Sequence, residues 1–443
     1  MTMKPLLALA LSGWGGGVAW AGPGDHIRAG NAEIIPAVEF RVVRRANLYL
    51  TEGTSIDVDG NLIGAEEQSG TALRVHPSLT IGVDGEDTTL DFNLDYNAVK
   101  YLEEEHQNLD RYKDVELGFG FRTLNNAPVG IKLNERFNIA GRETEATYAA
   151  DAYINHVRSH TSGRISLRPG SSLELDVGGN FNYDKYDVSA GSAAEGSPGL
   201  NSRVGYGPAA DLKWRFFPKT AIVGSYSRTD FTWENNLVDT RGDGLTETEF
   251  GDSLGIPDGS EWKATLGLRG RFTEKIVLGL IGGYGQMDYD ETSVQGQDSE
   301  GSAETQGFDR DLKGFPEGLI SIVELGYHPV ESQSVTIGYR KAFQDVYFTN
   351  FVDFHNAFVR YEGMFADRVG AKFNLGYRYE QYLGEVTRDD HVLNLTGDFA
   401  YRVTKFMDVS AGFGWKQRGS ADGDHPDIEY DDTLFSVGLT AAY

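Results

Sequence analysis

The chain has 443 residues, of which 40% are apolar, and its formal net charge at pH 7 is -26. Such an acidic excess excludes nucleic acid as a partner, because a phosphate backbone requires a basic surface. The sequence has no cysteine and therefore no disulfide. After residue 21, no apolar run approaches the roughly 18 residues that a membrane helix requires.

The N-terminal stretch "MTMKPLLALALSGWGGGVAWA" has the form of a secretory signal peptide. Lys4 precedes a short apolar run, and Ala19-Trp20-Ala21 forms a small-x-small cleavage site. We therefore predict a signal peptide at residues 1–21. Residues 22–33 are then a short periplasmic segment at the start of the mature protein.

From residue 34 to residue 443 the chain repeats one unit: an alternating segment, a tight turn, a second alternating segment and a polar loop. Eight short turns interleave with nine loops, most of them longer, which is typical of an outer-membrane β-barrel. The pattern predicts an all-β, antiparallel up-and-down transmembrane barrel of about 18 strands, with 16 and 20 left open. The predicted strands are 36–50, 70–84, 86–103, 110–124, 128–139, 152–168, 171–187, 200–217, 219–235, 259–273, 274–290, 313–328, 331–346, 353–366, 368–383, 389–404, 405–418 and 429–443.

The two faces of these strands meet different solvents. In 115–122, for example, Val115, Leu117 and Phe119 alternate with Glu116 and Gly118. The apolar face is predicted to contact outer-membrane lipid and lipopolysaccharide, and the polar face an aqueous lumen. An even strand number places both chain ends in the periplasm. The long acidic loops, notably 237–258 and 291–312, then face outward from a Gram-negative cell.

The last strand, 429–443, is predicted to pair with the first and so to close the barrel. Its alternating residues and terminal aromatic are typical of the signal that the barrel-assembly machinery recognises. These residues are Phe435, Val437, Leu439, Ala441 and Tyr443.

Three features of the strands carry a resemblance to a known family. They are the strand with Pro77, "DYNAVKY" at 95–101 followed by Asp110 and Tyr112, and "RISLRPGSSLELDVGGNFNYDKYD" at 164–187. In these the chain resembles a family of outer-membrane barrel porins associated with capsular and exopolysaccharide biosynthesis. The resemblance implies secretion of a polysaccharide, with periplasmic export or co-polymerase components as partners.

Strands that run towards the periplasm carry inward basic residues close to their turns. At about 3.4 Å per residue these charges lie at similar depth and line one wall near the periplasmic mouth. Two interpretations stay open: each cation braces the barrel by pairing with a carboxylate such as Glu174 or Asp176, or the wall is a collecting surface for an anionic polymer. The candidate substrate-path residues are Arg122, Lys132, Arg168, Lys213, Arg215, Arg269, Arg271 and Arg402.

Nothing in the sequence indicates an enzyme, a cofactor or a metal site. His156 and His160 share one strand face but lie about 13 Å apart, too far for one metal ion or one proton relay. The favoured function is therefore an outer-membrane pore that secretes a capsular or exopolysaccharide. The alternatives are a general or solute-specific diffusion porin and a structural or adhesive barrel of a surface or motility complex.

Overall fold

The computed structural model describes residues 27–48, 55–56, 62–63, 68–143, 153–187, 202–234, 258–290, 293–297, 303–307, 317–346, 349–383, 388–420 and 429–443. Eighteen long strands, β1 to β18 in chain order, contain most of these residues. Their bounds are Ala32–Arg45, Gly70–Asp84, Thr88–Tyr101, Arg111–Thr123, Val129–Glu143, Tyr153–Leu167, Leu173–Asp187, Ser202–Phe217, Thr220–Glu234, Gly259–Arg271, Ile276–Tyr289, Leu319–Tyr327, Gln333–Val346, Thr349–Phe365, Val369–Leu383, Arg388–Thr404, Met407–Ser420 and Tyr430–Ala442. A short 3-10 helix lies at Glu104–Leu109. No helix in this part of the chain is long and apolar enough to cross a membrane.

Each strand pairs in antiparallel fashion with the next strand along the chain, and β18 pairs with β1 to close the sheet. The closing register runs from Ala37 opposite Ala442 to Arg45 opposite Leu434. A closed sheet has no edges, so each strand pairs its backbone on both sides, as a nonpolar solvent requires. The predicted 18-stranded antiparallel barrel is confirmed, as is the pairing of its last strand with its first.

Strand β1 departs most clearly from its predicted bounds of 36–50. It begins at Ala32, ahead of the predicted barrel start at 34, because Ala32 to Ile34 also pair with Ile27–Ala29 in a small hairpin. It ends at Arg45 because Asn47 turns towards β18. There its backbone N–H donates to Asp432 Oδ1 (3.2 Å) and its Nδ2 donates to the Asp431 carbonyl (3.0 Å).

Three other strands differ from prediction by four residues or more at one end, and the remaining fourteen agree to within two. β5 runs on to Glu143 beyond the predicted 139, and β14 begins at Thr349 ahead of the predicted 353. β12 begins at Leu319 rather than 313, directly after Gly318, whose carbonyl accepts the Gly285 N–H at 2.8 Å.

The exterior face of the barrel is apolar and highly exposed. Leu266, Val437 and Phe435 each expose about 60% of their surface because only lipid covers this side. Aromatic belts flank the apolar band. The inner belt, on the side of the short turns, consists of Trp214, Phe216, Phe217, Phe373, Phe399, Phe406 and Tyr443. The outer belt consists of Trp262, Tyr284, Tyr339, Tyr377 and Tyr379, interleaved with His355 and His391.

Two of these predicted regions lie outside the described residues. These are the signal peptide at 1–21 and, apart from its last residue, the acidic loop at 237–258. Within the loop at 291–312, Ser293–Gln297 pairs with Ala303–Gly307 as a hairpin.

Candidate functional site in the lumen

The lumen face carries the charged residues of the strands. Because side chains alternate, residues that lie directly opposite each other on paired strands share this face. Lys132 on β5 lies opposite Arg164 on β6, and Glu174 on β7 lies opposite Lys213 on β8. A barrel of 18 strands is wide enough to leave an aqueous channel between such walls.

Four of the eight predicted substrate-path residues form ion pairs. Lys132 Nζ lies 2.8 Å from Glu174 Oε1 and 2.6 Å from Asp176 Oδ2. Arg168 Nε lies 3.4 Å from Glu174 Oε1. Two further pairs are longer: Arg269 with Glu324 at 3.7 Å and Arg402 with Asp408 at 3.6 Å. For these cations the geometry is that of bracing between strands.

Arg168 also supports a turn. Its Nη1 donates to the carbonyl oxygens of Leu124 and Asn125, both at 3.1 Å, and of Ala127 at 3.4 Å. These carbonyls belong to the turn between β4 and β5, so Arg168 ties two neighbouring periplasmic hairpins together. Sequence alone could not reveal this contact, because every residue has a backbone carbonyl and the residue type does not show which one accepts a hydrogen bond.

The other four substrate-path residues, Arg122, Lys213, Arg215 and Arg271, are exposed to the lumen. Within the described residues, no carboxylate lies within 4.0 Å of any of them. Lys213 and Arg215 line a cavity of about 270 Å³ at the periplasmic mouth, together with Asn125, Arg168 and Glu174. Their charge is therefore directed into water that a solute would enter.

The register brings most of the predicted wall together. Arg122 lies opposite Lys132, which lies opposite Arg164. Arg215 and Arg269 flank the small residue Ala221 in another such row. Arg402, on β16, lies apart from the wall that β4 to β10 form.

A second set of lumen charges, on β15 to β17, was not anticipated from the sequence. Arg418 Nη2 lies 2.5 Å from Asp390 Oδ2 and 3.2 Å from Glu380 Oε2, and it donates to the Tyr382 hydroxyl at 2.9 Å. Arg388 adds a 3.0 Å ion pair to Asp390. The Arg418 and Asp390 side chains are almost completely buried. The network therefore fastens three strands together, and it was missed because its members lie up to 38 residues apart.

His76, which is isolated in the sequence, lies close to acidic side chains in the barrel. His76 lies 3.2 Å from Asp95 and 3.8 Å from Glu39, and Glu39 in turn lies 2.6 Å from Arg41. Among the residues that the structure describes, no cluster of three or more histidine and acidic side chains is arranged to hold a metal ion.

The predicted assembly-signal residues lie on the exterior of β18 and just beyond its end. Phe435, Val437 and Tyr443 expose about 60% of their surface, and Tyr443 stacks on Phe406 with ring centroids 5.7 Å apart. Recognition of these residues by the assembly machinery stays a prediction.

Neither a protein-family model nor a curated protein matches the chain. Solved structures of other barrels do match. OpdK of Pseudomonas aeruginosa with vanillate is 10% identical, with a TM-score of 0.43, over 93% of this chain and 99% of that one. OpdQ of Pseudomonas aeruginosa is 11% identical, with a TM-score of 0.43, over 93% and 98%. The FrpB iron transporter of Neisseria meningitidis is 9% identical, with a TM-score of 0.44, over 92% and 82%.

These likenesses are too distant to assign a substrate, and the association with polysaccharide biosynthesis is not shown by any of them. The strand pairing and the exterior surface of the chain establish the class of protein without these likenesses. A closed antiparallel barrel with an apolar band, two aromatic belts and short turns on one side is the architecture of outer-membrane barrels. The protein is a β-barrel of the Gram-negative outer membrane, in contact with its lipid.

Proposed function

We propose that the barrel is a diffusion channel for small water-soluble solutes and that its periplasmic mouth favours anions. The observation that carries the proposal is the group of four lumen cations without a carboxylate neighbour in the described structure: Arg122, Lys213, Arg215 and Arg271. Like charges lining a confined aqueous passage raise the local concentration of oppositely charged solutes. No covalent chemistry is required of the protein.

Secretion of a polysaccharide, the favoured function at the level of sequence, is the second candidate. It requires an unobstructed path for a polymer and a surface for periplasmic partners. The solute channel needs only the water-filled lumen and its charged lining, so we prefer it.

The proposal is tested by reconstituting the purified protein in planar lipid bilayers and measuring single-channel conductance and reversal potential in a KCl gradient. We expect defined conductance steps with a preference for chloride over potassium. Replacing Lys213, Arg215 and Arg271 together by glutamine should lower that preference several-fold. Each lost charge is worth about 1 kcal/mol to an anion at 4 Å in water.

A matched control removes three charges at similar depth but outside the lumen wall: Lys219, Lys275 and Lys405, which lie in periplasmic turns. The control triple variant should retain the chloride preference of the wild type. Equal selectivity in both triple variants would show that the lumen cations do not select ions. Absence of conductance steps in the folded wild type would contradict a channel function. Loss of surface polysaccharide staining on gene disruption would favour the second candidate.

A further inference from the structure

Two cations lie on the exterior face of the barrel, near the outer ends of β1 and β3. Arg44 shares a strand face with Phe40 and Val42, which are both exposed to lipid. Lys100 lies opposite Leu73, another exposed apolar residue. Both charged side chains are themselves exposed. They therefore belong to the outer surface of the wall and not to the lumen.

Both cations lie further from the periplasm than the outer aromatic belt does. Lys100 lies 12 residues from the periplasmic end of β3, and Arg44 lies opposite Thr71, 13 residues from that end of β2. Trp262 of the outer belt lies only 9 residues from the periplasmic end of β10. At about 3.4 Å per residue and a tilt near 40°, the two charges lie roughly 8–10 Å beyond the belt. Aromatic belts mark the membrane–water interface, so this is the level of lipid head groups.

Hydrogen bonds hold the Arg44 side chain over β2. Its Nη1 donates to Thr71 Oγ1 and its Nη2 to Ser69 Oγ, both at 3.3 Å. A guanidinium group has five N–H donors, so most of those of Arg44 stay available. Lys100 approaches the same stretch of β2 from β3, because Leu73, which lies opposite it, is two positions from Thr71. At about 4.8 Å between strands and 3.4 Å per residue, the Cα atoms of the two cations lie about 12 Å apart.

These two charges are not balanced by acidic side chains. No carboxylate of the described residues lies within 4.0 Å of Arg44 or Lys100. Glu103, the first acidic residue after β3, contacts the backbone instead: its two oxygens accept the Thr71 N–H at 3.0 and 2.9 Å. The two cations are therefore available to an anionic group outside the chain.

We propose that Arg44 and Lys100 bind a phosphate group of lipopolysaccharide in the outer leaflet. A phosphate accepts paired N–H bonds from a guanidinium group, and an ammonium group adds a second positive charge. Val42 and Leu73 lie on the same face, one step nearer the periplasm, where the acyl chains of such a lipid lie. Cations above an apolar surface match a lipid with a phosphorylated head group. The inference concerns the exterior of the barrel and does not depend on the channel function.

The test uses the full-length mature protein in detergent micelles, titrated with diphosphoryl lipid A, the membrane anchor of lipopolysaccharide. Native mass spectrometry counts the bound lipid molecules. The wild type should bind the probe saturably. The double variant Arg44→Gln with Lys100→Gln removes both charges from exposed positions, so we expect the dissociation constant to rise tenfold or more. Retained heat-modifiable gel mobility shows that the variant is folded.

Arg228→Gln is the matched control. Arg228 lies on the exterior face opposite Trp262, but Asp230 lies 2.8 Å from it as a counter-ion, so this variant should bind lipid A as the wild type does. Lipid A without its phosphates should bind the wild type at least tenfold more weakly. Equal affinity of the wild type and the double variant for diphosphoryl lipid A overturns the inference. Displacement of lipid A by millimolar inorganic phosphate also overturns it, because the site would then recognise a soluble anion.

Discussion

Glu135 is an ionisable side chain that β5 places on the apolar exterior face of the barrel. It lies six residues into β5, opposite Phe119 on β4 and Thr161 on β6. At about 3.4 Å per residue and a tilt near 40°, that position is close to the middle of the apolar band. Its carboxylate accepts hydrogen bonds from the hydroxyls of Ser159 (2.7 Å) and Thr161. Two neutral donors stabilise the group, but neither compensates its charge.

Neutralising this carboxylate should stabilise the barrel. Glu135→Gln retains the shape and an acceptor for the hydroxyls, and it removes a charge whose desolvation in a bilayer is costly. We expect the free energy of unfolding in phosphatidylcholine vesicles to rise by about 1 kcal/mol. Urea titration followed by tryptophan fluorescence measures it.

Glu116→Gln is the matched control, since Glu116 lies on the lumen face of neighbouring β4 and is exposed to water. Its stability should change by less than about 0.5 kcal/mol. A loss of stability in Glu135→Gln alone would show that the carboxylate pairs with a cation from lipid or from another protein.

The turn between β14 and β15 is strained, because its two central residues adopt backbone angles that their residue types disfavour. Ala366 and Asp367 have φ values of 49° and 56°, and the Arg368 N–H donates to the Phe365 carbonyl at 3.1 Å. Two successive left-handed residues form the type I′ turn that suits the twist of a hairpin. Alanine is costly in this conformation because its Cβ approaches the following carbonyl oxygen.

Ala366→Gly should therefore stabilise the barrel by about 0.5–1 kcal/mol, even though it increases the freedom of the unfolded chain. The urea midpoint in vesicles gives the sign. Ala127→Gly is the control: Ala127 lies in another periplasmic turn and is not among the residues with positive φ. Ala127→Gly should lower the free energy of unfolding by a similar amount. A higher free energy of unfolding in both variants would show that the positive φ of Ala366 is not the cause.

Strands and turns were predictable because their signals are local. Alternation has a period of two and turn residues mark each reversal, so β2, β6 and β13 are within two residues of their predicted bounds. The exceptions arise where tertiary contacts determine the end of a strand. β1 ends early because Asn47 bonds to Asp431 and Asp432 from the far end of the chain.

The lumen was only partly predictable for the same reason. That Arg122 and Lys213 point into the lumen could be predicted from the sequence, because successive side chains of a strand point to opposite faces. Whether such a cation finds a carboxylate depends on the register of neighbouring strands and on side-chain reach. Lys132 reaches Glu174 two strands away, whereas Lys213, directly opposite Glu174, forms no ion pair with it.

The whole molecule depends on the seam between β1 and β18. Arg45 Nε lies 2.7 Å from Asp432 Oδ2, and the two side chains are only 14% and 7% exposed. Asn47 adds its backbone N–H to the same carboxylate. The seam is thereby fixed by side chains as well as by its backbone ladder.

Arg45→Gln should lower the free energy of unfolding by about 2–3 kcal/mol, because it leaves a buried carboxylate without its counter-charge. The double variant Arg45→Gln with Asp432→Asn should recover part of the loss, which urea titration of the four proteins resolves as a coupling energy. The control is Arg158→Gln. Arg158 pairs with Asp184 at 2.9 Å but is 50% exposed, so its loss should cost less than about 1 kcal/mol. Equal losses at both sites would contradict a special role for the seam.

Arg45 and Asp432 are 387 positions apart in the chain. Each strand from β2 to β17 pairs with the strands directly before and after it in the chain, but β1 completes its pairing only with β18, the last strand made. At 5–20 residues per second, synthesis alone separates the two partners by roughly 20–80 s. Until β18 is present, a sheet that contains β1 keeps one edge open to pairing with other chains. The strand made earliest thus waits longest for its second partner, and a chain without β18 has two open edges instead of a closed sheet.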